Sequence, residues 1–169
     1  MRVAPAAAIR ALRVGTTYST TRRKRFVLIA SQFHLPLTQA LVDSATRTLR
    51  QAGVTSRHLR LVWVPGAFEI PFAAADAIHH RPRPDALIAL GVLIRGHTPQ
   101  YAVLAHAVAQ GLMHVGIGAR VPVAFGVIIA ETVAQARARA HGAENRGAEA
   151  AAAALQMVCV KRTHVGSDA

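Results

Sequence analysis

Four short apolar runs, each followed by a stretch with helical spacing, set the pattern of this chain. The longest, residues 86–94 (ALIALGVLI), is apolar at nearly every position, as expected of a strand buried on both faces of a parallel sheet. It runs into Arg95-Gly96-His97-Thr98-Pro99, a turn with helix-start chemistry, in which Thr98 is the expected N-cap and Pro99 the first helical residue. Tyr101, Leu104, Ala105, Val108, Gly111, Leu112 and Val115 then recur at helical spacing and predict a buried helix face. Residues 26–31 (FVLIAS) and 59–64 (LRLVWV) predict two further strands. After the first, Gln32-Phe33-His34 leaves the sheet. A helix follows to about Ala52, with Leu41, Ala45 and Leu49 inward and Gly53 as its stop. After the second, Pro65-Gly66 turns the chain into a helix from near Phe68, with Glu69 in its first turn. Beyond a turn at 116–120, residues 121–130 predict a fourth strand, 132–140 a short helix and 144–160 a longer one, before a polar tail.

Strands that alternate with helices across short loops imply an α/β fold of three αβα layers, with a four-stranded parallel sheet. Right-handed crossovers leave few windings, the flavodoxin-like one among them. Ligands in such sheets sit beyond the carboxyl ends of the strands. Residues 32–34, 65–69 and 95–98 and the end of the fourth strand are therefore expected to share one site. The strand, glycine turn and helix start at 94–99 also make a place where anions bind.

At 169 residues the chain is one domain's worth, with 52% hydrophobic and 5% aromatic residues. No apolar run approaches the ~18 residues that a membrane span needs, so no membrane partner is expected. Cys159 has no second cysteine to pair with, and the nine histidines show no ligand spacing, so no metal site is expected. The net charge of +12 is uneven: residues 1–42 hold seven Lys or Arg and no acid. Residues 1–24 are expected to be a basic leader, either a targeting segment or a solvated arm, ahead of a domain at 25–160 and a tail at 161–169. A transit role for the leader would place the protein in a mitochondrion or plastid, and a bacterial source in the cytoplasm. Nucleic acid is not expected as a partner of the core.

Four blocks carry a resemblance: Trp63-Val64-Pro65-Gly66-Ala67-Phe68-Glu69-Ile70-Pro71, Ala89-Leu90-Gly91-Val92-Leu93-Ile94-Arg95-Gly96, Val121-Pro122-Val123-Ala124-Phe125-Gly126-Val127 and Asn145-Arg146-Gly147-Ala148-Glu149-Ala150-Ala151. In order and spacing they resemble the 6,7-dimethyl-8-ribityllumazine synthase family of riboflavin biosynthesis. The resemblance implies the lumazine synthase fold and a transferase that condenses 5-amino-6-(ribitylamino)uracil with 3,4-dihydroxy-2-butanone 4-phosphate, without a cofactor. It further implies a homo-oligomer, a pentamer or a larger shell. Phe33 would stack on the pyrimidine, and Gly66, Ala67, Phe68 and Glu69 would hold the ring and ribityl chain. The main chain near Leu93 and Ile94 would meet the pyrimidine edge. Gly96, His97 and Thr98 would take the phosphate with Arg139 and Arg146. Phe125, Arg139 and Arg146 would come from the neighbouring subunit.

Several positions depart from the family pattern. Gln100 stands where the family has its catalytic histidine, and an amide hydrogen-bonds but does not titrate. His97, on the turn itself, is the candidate substitute. Arg146 replaces a common lysine, Ile129-Ala130 a threonine pair, and Ala102 a frequent acid. Two alternatives to a working enzyme therefore stay open at this point. One is a non-catalytic paralogue serving as a structural or assembly subunit, and the other a flavin- or lumazine-binding module.

Overall fold

A computed structural model of the protein describes residues 22–165, with side chains to residue 160. Most of the expected basic leader and the last four positions of the expected tail lie outside the described residues. Four strands, β1 (Phe26–Ser31), β2 (Leu59–Val64), β3 (Ala86–Ile94) and β4 (Val123–Ala130), form one parallel sheet in the order β2-β1-β3-β4. Among the described residues five helices cover it: α1 (Leu35–Gln51), α2 (Ile70–His79), α3 (Gln100–Ala119), α4 (Val133–His141) and α5 (Arg146–Val165).

Alternation along each strand sorts the core into two layers. Phe26, Leu28, Ala30, Ile88 and Leu90 pack with Leu41, Ala45 and Leu49 of α1, Ala136 of α4 and Ala151 of α5. Val27, Ile29, Leu87 and Ala89 pack on the other face with Ile70 and Ala74 of α2 and Val108 and Leu112 of α3. The expected three-layer α/β fold is the one that forms. β1 and β3 hold its centre because they are apolar on both faces. Just before β3, Asp85 receives the Lys24 ammonium at 2.9 Å and the Arg25 amide at 2.8 Å, which ties the chain ahead of β1 to the start of β3.

Several element ends differ from the sequence expectation: β4 starts at Val123 rather than 121, α5 at Arg146 rather than 144, and three further ends differ in ways that have a visible cause or extent. At the start of α3 the carbonyl of Pro99, not Thr98, accepts the first helical bonds, from Ala102 (3.0 Å) and Val103 (3.4 Å). Pro99 is thus the N-cap, and no side chain caps this helix. At its other end α3 runs through the expected 116–120 turn to Ala119. Arg120, left-handed at φ 53°, makes the stop, and the Val121 amide reaches back to the Gly116 carbonyl at 3.1 Å. Gly116 serves packing instead, since a Cβ there would lie 3.2 Å from Val123 Cγ2. α5 continues past the expected end at 160 to Val165.

By length and composition α3 also qualifies as a membrane span, at a mean hydropathy of 1.4, which corrects the expectation that no segment comes near one. In the fold Ala105, Val108 and Leu112 face the sheet, while Val103, Met113 and Ile117 are exposed.

The start of α5 is fixed by a close approach. Asn145 caps it, with Oδ1 accepting from the amides of Gly147 (2.9 Å) and Ala148 (3.1 Å), while Nδ2 donates to the Ala140 carbonyl. Gly147 then lies against the α1 backbone: an added Cβ would sit 2.8 Å from the Leu41 carbonyl carbon. Backbone has no rotamer to yield, so Gly147→Ala should destabilise the fold by about 1–3 kcal/mol, the usual cost of forcing atoms into a filled core. A urea midpoint indistinguishable from wild type would contradict this packing.

Candidate active site

The carboxyl ends of β1, β2 and β3 deliver most of the expected residues to one edge. Past β1, the Gln32 amide donates to the Val64 carbonyl at 2.8 Å and keeps the two strand ends together. His34 then adopts φ 58°, a left-handed residue that turns the chain into α1. Between them Phe33 is 65% exposed, its ring edge-on to His34 with centroids 4.9 Å apart. An aromatic so exposed packs no core and leaves its face free for a planar ligand.

Past β2, Gly66 is extended, and a 3₁₀ turn (Ala67–Glu69) leads into α2. The Glu69 carboxylate folds back over Gly66, where a Cβ would lie 2.9 Å from Oε2. Glycine is what lets this carboxylate sit over the turn. Ala67 is buried, while Phe68 and Glu69 face solvent.

Past β3, Leu93 is buried, Ile94 is partly so, and Gly96, His97, Thr98 and Gln100 are exposed. A Cβ on Gly96 would meet nothing within 4 Å, so the turn has open space before it. Gln100 is the first residue of α3, where the helix dipole and free amides favour negative charge.

The carboxylate that braces this turn was not singled out from the sequence. Glu131, just past β4, accepts from Arg95 Nη1 at 2.9 Å and from the Tyr101 hydroxyl at 2.6 Å. Its own amide donates to Gln135 Oε1 at 2.8 Å, and the Arg95 amide donates to the Ala130 carbonyl at 2.9 Å. The bond from Tyr101, and then that from Arg95, hold the Glu131 carboxyl below its ordinary value. The same contact raises the Tyr101 phenol. A depressed carboxyl stabilises the folded turn above the ordinary carboxylate range and stops doing so as pH falls through the lowered value. No sequence motif announces a carboxylate that meets its partners only across the β3–β4 edge.

A family model for 6,7-dimethyl-8-ribityllumazine synthase matches residues 23–162. The chain belongs to the 6,7-dimethyl-8-ribityllumazine synthase family. It is 44% identical over 139 residues to the 6,7-dimethyl-8-ribityllumazine synthase of Halorhodospira halophila, covering 82% of this chain and 88% of that protein. It is 37% identical over 140 residues to the enzyme of that name from Pediococcus pentosaceus, covering 82% of this chain and 89% of the relative. With the Gemmatimonas aurantiaca protein of the same name it shares 40% over 136 residues, covering 80% and 82%.

The remaining candidate residues of this lumazine synthase-family chain lie elsewhere. Phe125 lies early in β4, opposite Ala89 and away from the carboxyl end of the strand. Its partly buried ring lines an apolar groove of about 530 Å³ with Met113, Ile117, Val123 and Met157. Arg139 is on α4, which starts at the carboxyl edge at Thr132 and has run about 10 Å by residue 139. Its guanidinium bridges Glu144 at 2.7 Å and Glu149 at 2.9 Å, and Arg146 also reaches Glu149 at 3.1 Å. The two arginines are thereby oriented as a pair.

Another cleft, of about 450 Å³, lies between the carboxyl-terminal ends of α2 and α3 and is lined by His79, Arg81, Arg83 and His114. Arg83 Nη2 donates to the Ala119 carbonyl at 2.5 Å, so this basic group complements a helix carboxyl end. Among the described residues no three His, Cys, Asp or Glu side chains gather into a metal cluster.

Proposed function

We propose that the protein makes 6,7-dimethyl-8-ribityllumazine from 5-amino-6-(ribitylamino)uracil and 3,4-dihydroxy-2-butanone 4-phosphate, releasing phosphate and water. The observation that carries this is the edge shared by an exposed aromatic face at Phe33, the Glu69 carboxylate over Gly66, and the open amide turn at 96–98. The flat pyrimidine stacks on Phe33 with its edge on the main chain near Leu93 and Ile94, and Glu69 accepts hydrogen bonds from ribityl hydroxyls. The phosphate docks on the turn, with Thr98 and the amides of Gly96 and His97 as donors. An amine held against a ketone reacts chiefly because the two are held together, an advantage worth up to ~7–11 kcal/mol in favourable geometry. No cofactor is required.

Arg139, Arg146 and Phe125 complete the site from a neighbouring subunit in a homo-oligomeric ring, a pentamer or a shell built of pentamers. Two features support this assembly. Phe125 lies well short of the carboxyl edge on its own chain, and α3 exposes Val103, Met113 and Ile117 beside the apolar groove. Exposed apolar patches of this kind commonly mark protein interfaces. A head-to-tail contact that closes into a ring would bring the edge of one chain to the arginines of the next.

The test is direct. The purified full chain, mixed with both substrates, should release phosphate and form a product with lumazine absorbance in equal amounts. Failure to bind or convert either substrate would overturn this function.

A further inference from the structure

We propose that Glu131 is a positioning residue for the phosphate turn, a staple that holds residues 96–100 at both ends through one carboxylate. Arg95 comes immediately before Gly96, and Tyr101 immediately after Gln100. Glu131 Oε2 takes the first at 2.9 Å and Oε1 the second at 2.6 Å. The carboxylate is tied in turn, since the Glu131 amide donates to Gln135 Oε1 and the Arg95 amide to the Ala130 carbonyl. Between the two stapled ends, His97, Thr98 and Gln100 are exposed, and no side chain caps the helix start. The turn's shape therefore depends on its flanks. Donors aimed at a ligand work only when held to within ~0.5 Å, and a single carboxylate bridging both flanks gives that control.

The bland alternative is a solvated ion pair, since the Arg95 and Glu131 side chains are 62% and 50% exposed. Such pairs contribute little to global stability. That makes the two readings separable: loss of the staple should loosen the turn and leave the fold alone. Arg95 is also taken up by this contact, which leaves the turn amides and Thr98 to meet the phosphate on this chain.

The phosphate part of the inference rests on the function proposed above, so the experiment reads the turn and the phosphate separately. Glu131→Gln and Tyr101→Phe are made in the full chain, and hydrogen exchange is followed at amides 96–101. Exchange should quicken by about three- to tenfold in each, the scale of one or two exposed charge-assisted contacts. The double variant should exceed Glu131→Gln by little, because Tyr101 acts through the same carboxylate. The Kd for inorganic phosphate, and the KM for the phosphate-bearing substrate, should rise by a similar factor. kcat and the pyrimidine KM should hold within about twofold and Tm within about 2 °C. Unchanged exchange overturns the staple, whether or not the wild type makes product. Faster exchange with an unmoved phosphate Kd overturns its role in phosphate binding, as does a fall in Tm that accompanies every other change. A wild type that binds phosphate, responds to Glu131→Gln and makes no product would keep the staple and refute the condensation.

Discussion

Replacing Gln100 by histidine should raise turnover by about one to three decades, the range for a positioned acid–base group. Substrate affinity should hardly change. Gln100 is exposed at the first turn of α3, so an imidazole fits without displacing a packed neighbour. A helix N-terminus disfavours the charged imidazolium and so keeps a histidine there in its neutral, proton-accepting form near pH 7. The native amide can hold a hydrogen bond at this point but cannot carry a proton between the amine and the departing groups. Phe33, Glu69 and the turn amides, the groups proposed to bind the substrates, are untouched by the change. Measuring kcat for wild type and Gln100→His side by side decides the matter. Equal turnover in two active proteins would show that another group, with the exposed His97 first in line, already moves the proton. His97→Ala should then abolish it.

How far the fold was legible depended on how local its cause was. Strand β3 could be read because residues 86–94 are apolar on both faces, and α1 because Leu41, Ala45 and Leu49 repeat at its period. The start of α3 was misplaced by one residue because the fixed φ of Pro99 let its own carbonyl, rather than that of Thr98, open the helix. Its end was misjudged because two glycines, Gly116 and Gly118, read as a turn. In the fold Gly116 answers to Val123, a residue on the next strand.

The site divides in the same way. That Phe33 and residues 66–69 and 95–98 reach the carboxyl edge was readable because each segment lies just past a strand end. Glu131 was not, because its meaning lies in Arg95 and Tyr101, which face it across the edge between β3 and β4. Phe125 was read only through the family resemblance, as a residue lent to a neighbouring chain, and its place early in β4 carries no local signal of that role.

The proposed sharing of the site between two chains carries the sharpest large effect. Phe33→Ala should cost stacking worth about 1–3 kcal/mol, and Arg139→Ala a similar loss of charge-assisted binding. At substrate concentrations well below KM, each variant alone should work at about one-tenth to one-hundredth of the wild-type rate. If one chain provides Phe33 and the next provides Arg139, a mixed ring restores some sites in full, wherever an intact Phe33 meets an intact Arg139. Random mixing in equal amounts leaves about a quarter of the interfaces whole. The decisive measurement is therefore the activity of the two variants co-expressed, against each expressed alone. Recovery to about a quarter of the wild-type rate is the expected result, and it requires a site built across subunits. A mixture no more active than the average of the two separate variants, in rings shown by native mass spectrometry to contain both chains, would mean that each chain carries its own complete site.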